Sequence, residues 1–202
     1  MSEPVLATSV TSDPQAFTHV RIVIGVVTGL SVTRLLTGLS RFVQHPARNK
    51  IYLPHLAWVF FMLLTVIHFW WFEFGLYRVT RWHFSEYVFV LGYAALIFFV
   101  SALLFPDDLK EYAGYRDYFH SRQQWFYGLL AAIFMVDMLD SALKGATYFQ
   151  ALGAIYPIRQ TLLCLMCIAS IFVRRKSYHF GVAIVAICAE VWWIASQFRF
   201  LD

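Results

Sequence analysis

Apolar stretches of about 20 residues recur along nearly the whole chain, each long enough to cross a hydrocarbon core of roughly 30 Å as an α-helix. A bilayer accepts only helices and closed barrels, because unpaired backbone groups find no partner in lipid. Composition agrees, since 60% of the 202 residues are hydrophobic and 14% charged, against roughly 45–50% and about 25% in soluble domains. That excess of apolar surface must face lipid.

Hydropathy predicts spans over 20–43, 52–74, 84–105, 125–143, 149–173 and 178–198. Polar or turn-forming residues separate them: His45 to Arg48, Arg78 to Arg81, Pro106 to Asp108, Lys144-Gly145, and Arg174 to Lys176. The predicted fold is an all-α polytopic transmembrane bundle of six helices, a single domain over 17–202 behind a mobile polar tail over 1–16. The loop after the third span adds a short amphipathic interfacial segment. There Asp108 and Glu111 are suited to a helix start, and Tyr112, Tyr115, Tyr118 and Phe119 follow at helical spacing.

The formal charge of +4 does not point to nucleic acid, because Lys and Arg are scattered among helix ends instead of forming a stripe. They report topology. The loops after the first, third and fifth spans hold nine basic residues and the opposite side five, so by the excess of Lys and Arg on cytoplasmic loops both termini are predicted outside. Cys164, Cys167 and Cys188 all lie in apolar runs, so they give no disulfide framework, and the CxxC at 164–167 reads as small packing residues. No cofactor is implied.

Ionisable residues inside spans are the informative signal, because a charge at the bilayer centre costs about 2.5 to 3.5 kcal/mol on the mildest scale. Here they are Arg34, His68, Glu73, Glu86, Asp137, Asp140, Arg159 and Glu190. A helical rise of about 1.5 Å per residue puts His68, Asp137 and Glu190 roughly 18 to 24 Å from the inner surface. Such groups pair with one another or line a wet cavity. Arg34, His68, Glu73, Asp137, Asp140, Arg159 and Glu190 are therefore candidates for a polar pocket open to the outer side, with Arg34 and Arg159 neutralised by Asp137, Asp140 and Glu190. His68 and Glu73, five apart, point in different directions and do not share a ligand.

Two further features concern packing. Gly25 and Gly29 form a GxxxG that permits close helix approach, and with the polar faces it favours a homo-oligomer. The pairs Trp70-Trp71 and Trp192-Trp193 end outward-running spans, where tryptophan anchors the interface.

The segments Gly29 to Gly38, Pro54-His55-Leu-Ala-Trp58, His68-Phe-Trp70-Trp71 and Leu103 to Asp107 resemble a widespread group of multi-pass bacterial membrane proteins. The resemblance covers mainly the first three spans and the loop behind them. It implies a bacterial cytoplasmic (inner) membrane location and no particular activity or site residue. Four functions stay open. The first is a channel or transporter for a small ion, with the proton as one candidate; the second is an accessory or sensory subunit acting through helix packing. A haem or metal protein is suggested by His55 and His68 but lacks paired ligands at depth. An intramembrane enzyme would lack any recognisable nucleophile motif or HExxH.

Overall fold

A computed structural model describes residues 14–45, 51–79 and 82–197. Among them the chain forms seven α-helices: α1 (Pro14–Gln44), α2 (Leu53–Phe72), α3 (Phe84–Leu104), α4 (Tyr115–Leu143), α5 (Ala146–Ala151), α6 (Ile155–Phe172) and α7 (Lys176–Gln197). A 3₁₀ turn, Glu73–Arg78, prolongs α2. All but α5 are long and apolar enough to cross a membrane, so the protein is a six-span membrane protein. The expected tail falls largely on residues outside the described ones, and α1 is already helical from Pro14.

The helices pack as α1 along α3, α4 along α6 and α2 along α7, with α3 also against α4. Helix α2 touches α1, α3, α4 and α7 and is the most enclosed span. Its Trp58 is fully buried, meets Phe61 and Phe126 edge-on with ring centroids 5.4 Å apart, and donates its indole N–H to Tyr127 Oη at 3.1 Å. A buried Trp needs that partner, and Tyr127 supplies it. On the outer surface Ile22, Val26 and Leu30 of α1 are each more than half exposed. At a spacing of four they form an apolar stripe that water would penalise and lipid does not.

Two features differ from the sequence reading. The fifth span begins at Ile155, because the preceding residues form the separate α5, flanked by Gly145 (φ 112°) and Gly153 (φ 74°). These left-handed conformations suit glycine and break the helical path on either side of α5. Of the aromatic segment after the third span, Tyr115, Tyr118 and Phe119 fall in the first two turns of α4, turn into the bundle and are buried, while Tyr112 precedes that helix and is half-buried. Tyr118 donates to Leu103 O at 2.6 Å, which draws this helix start against the end of α3.

The spans alternate in direction. One end of the bundle, here the α5 end, gathers the last turns of α2, α4 and α7 and the first turns of α1, α3 and α6; the opposite end carries the α3–α4 loop.

Candidate functional site

Towards the α5 end, α2, α3, α4, α6 and α7 each contribute a polar side chain to one enclosed cluster. Glu190 of α7 is its hub. One carboxylate oxygen lies 2.6 Å from His68 Nδ1 of α2, and the other accepts from Arg159 Nη2 of α6. Arg159 also donates through Nε to Ala189 O at 3.3 Å and through Nη1 to Gln160 Oε1 at 3.2 Å. Gln160 in turn donates to Asp137 of α4. Asp137 accepts further hydrogen bonds from Tyr93 of α3 at 2.9 Å and Tyr156 of α6 at 2.7 Å. Tyr93, Tyr156 and Gln160 thus converge on one carboxyl group.

Little solvent reaches these groups. The side chains of Glu190 and Arg159 are 5% and 7% exposed and that of His68 13%. His68, Tyr93, Asp137, Arg159, Gln160 and Glu190 border a cavity of about 30 Å³, room for one or two waters and too little for a hydrated metal cation. The polar pocket expected to open to the outer side is thus a small cavity among mostly buried side chains. On α6 it lies nearer the helix end than expected, with Arg159 four residues into that helix, roughly 6 Å, while Glu190 keeps its expected place, seven residues from the end of α7.

A second cluster lies one helical turn further towards the α5 end. Lys144, just past α4, places Nζ 2.5 Å from Asp140 Oδ2 and 3.0 Å from Glu73 Oε1, with the Phe72 ring centroid 3.7 Å away. All three ionisable side chains are at most 1% exposed. Asp140 and Lys144 are four apart on adjacent turns, the helical spacing that lets such side chains meet.

The structure therefore brings together His68, Asp137, Arg159 and Glu190, and separately Glu73 with Asp140. Arg34 joins neither. It donates to Phe105 O at 2.7 Å and pairs with Asp107 at 2.6 Å, at the opposite end of the bundle. The reason is the length of α1, whose 31 residues put Arg34 ten residues from its far end, level with the end of α3. His68 and Glu73 have separate partners, and Glu86 closes the first turn of α3 by accepting from the His83 backbone N–H at 2.8 Å.

The packing residues divide as well. A Cβ on Gly25 would come within 2.9 Å of the Trp70 ring, so that glycine admits a side chain of α2, whereas Gly29 meets nothing within 4 Å and opens on a lipid-facing groove. Trp70 is 37% exposed and stacks with Arg21 at 4.9 Å; Trp192 is exposed and Trp71 half-buried, in keeping with an interfacial position. Trp193 is buried against Tyr156, with ring centroids 5.4 Å apart, so it is a core residue and no interface anchor. It shares a face with Glu190, three residues earlier, and that face points inward.

Lys144, Tyr93, Tyr156 and Gln160 were not singled out from the sequence. Lys144 carried a signal in its spacing from Asp140; the three uncharged residues cost too little in a membrane to stand out.

No known family, curated protein or solved structure matches the chain. Its functional reading rests on geometry.

Proposed function

We propose that the protein binds protons at the His68–Glu190–Arg159–Asp137 cluster and carries them across the bacterial inner membrane, with the α5 end outside. The observation that carries this reading is the buried contact of His68 with Glu190 beside Arg159 and Asp137. With His68 neutral, one cation faces two carboxylates. A proton on His68 makes the four charges cancel. An imidazole can take up and release a proton, which suits His68 to the exchange. The cavity's size favours a proton over any larger ion.

A second observation favours an accessory or sensory variant of the same chemistry. From Asp137 to Tyr127 on α4 is ten residues, and from Glu190 to His179 on α7 eleven, each roughly 15 Å of helix. The buried side chains in between, including Met62, Val66, Leu130, Ile133 and Phe134, are mostly apolar, and the buried hydroxyls of Thr28 and Ser31 bond carbonyls of their own helix. A proton held on the α5 side needs a conformational change to pass this belt. A subunit that senses pH needs none.

Purified protein in liposomes, with a pH-sensitive dye inside and an imposed membrane potential, separates the two. Transport is expected to exceed that of empty vesicles and to fall to their level in His68→Gln and Glu190→Gln. Wild-type vesicles no faster than empty ones would sink transport and leave sensing, to be read as proton uptake in detergent that His68→Gln removes.

A further inference from the structure

The Glu73–Asp140–Lys144 cluster has one carboxylate too many. Both acids are buried, and a single ammonium lies between them. Its contacts are already taken up by Glu73 Oε1, Asp140 Oδ2 and the face of Phe72. Among the described residues Glu73 Oε2 and Asp140 Oδ1 have no donor although both are shielded from solvent, and both carboxyl groups sit on the same Lys144 Nζ, at 3.0 and 2.5 Å. Two ionised acids held on one ammonium repel, whereas a single proton shared by them turns one into a donor and leaves the other an acceptor. It also neutralises the cluster. The groups around it add no second cation at the carboxylates: Asp137 on α4 adds further negative charge, Tyr93 of α3 and Tyr148 of α5 are phenols, and Arg78 stacks on Tyr148 from the exposed side, 5.6 Å from its ring.

We propose that Glu73 and Asp140 share one proton, clamped by Lys144, and that this pair is the port through which protons reach the His68–Glu190 cluster from the α5 end. The second half of the proposal rests on the transport reading above; the shared proton does not. Asp140 and Asp137 are three residues apart on one face of α4, and Asp137 borders the small cavity together with His68 and Glu190. A proton passing along this line breaks one O–H bond and makes another at each carboxyl step, and the last transfer breaks an O–H bond and makes an N–H bond on the imidazole, with no other reactant. The half-buried Tyr148 lies over the triad, and α5, which carries it, is bounded by the two left-handed glycines.

Infrared spectroscopy of the full chain in lipid, in light and heavy water, reads a buried protonated carboxyl directly. At neutral pH the wild type is expected to show one such band that Glu73→Gln and Asp140→Asn each remove, because either leaves one acid opposite Lys144. His68→Gln is expected to keep it. Lys144→Gln is expected to strengthen it, since both acids then need a proton. No band in the wild type, or a band that survives both Glu73→Gln and Asp140→Asn, overturns the shared proton even if liposomes transport protons. A band with the expected response in vesicles that transport nothing upholds the shared proton and removes its role as a port. In transporting vesicles, Glu73→Gln flux equal to wild type removes that role too.

Discussion

Polar side chains fill both ends of the bundle, but they bind different things. At the end with the α3–α4 loop many of them bind backbone, beside a mostly uncharged side-chain network of Trp58, Tyr127, His179, Tyr52, His120 and Gln123. Tyr118, His55 and Arg34 reach the carbonyls of Leu103, Leu104 and Phe105 at 2.6, 2.6 and 2.7 Å, and Arg41 that of Pro106 at 3.0 Å. Gln123 donates to the carbonyls of Ser170, Ile171 and Val173. These are the ends of α3 and α6, where the last turn leaves carbonyls with no helical partner and a negative dipole end that attracts donors. Near the α5 end the side chains bind mostly each other: His68 to Glu190, Gln160 to Asp137, Lys144 to Glu73 and Asp140. The first set is what any buried helix terminus requires. The second answers no backbone demand and holds an unbalanced charge, which is why function is assigned to it.

The sharpest way to break this contrast is to remove a counter-charge. Arg159→Met leaves Glu190 with only His68 in a nearly dry pocket, and is expected to cost about 3 to 5 kcal/mol in unfolding titrations in mixed micelles. Arg159→Met with Glu190→Met should recover most of that loss, because an apolar pair of similar volume replaces a buried ion pair at little cost. A single variant as stable as wild type would mean that water reaches Glu190 freely and the pocket is not closed.

The capping set should respond differently. Gln123→Leu strands the last carbonyls of α6, at an expected cost of about 1–3 kcal/mol, while proton transport per folded molecule and the carboxyl infrared band stay as in wild type. Changed transport in Gln123→Leu would show that the two ends are coupled and that the division drawn here is too clean. Gly38→Ala probes the same end through packing. A Cβ there would collide with the Phe105 ring, and overpacking of this kind costs about 1–3 kcal/mol. Phe105→Leu in the same chain should relieve it.

Much of the α5-end site was legible because charge in an apolar run is conspicuous. His68, Asp137, Arg159 and Glu190 stand out by polarity alone, and the six spans follow from run length. What failed was depth measured from assumed helix ends. The fifth span was started too early because α5 is apolar enough to extend the run, and only the left-handed glycines separate it. Lys144 follows immediately on an apolar run, as loop lysines do, and was counted as one; the helical spacing to Asp140 folds it inward instead. Trp193 shows that position along a helix does not settle which side of it a residue occupies.

Arg34 carries the smallest expected effect and the most direct test of the comparison. Its sequence looks like that of Arg159, a lone arginine deep in an apolar helix, yet its partners are Phe105 O and Asp107, whose side chain is 87% exposed. An ion pair with so open an acid is worth at most about 1 kcal/mol, because water and salt screen it. Arg34→Gln keeps an amide donor for the Phe105 carbonyl, so the expected loss is about 1 kcal/mol or less, and raising the salt concentration should shrink it further. Transport and the carboxyl band should not move, since no buried carboxylate depends on Arg34. If Arg34→Gln instead abolished transport while Arg159→Met left it intact, the proton site would belong at the α3–α4 loop, and the charged cluster near α5 would serve only to hold the helices together.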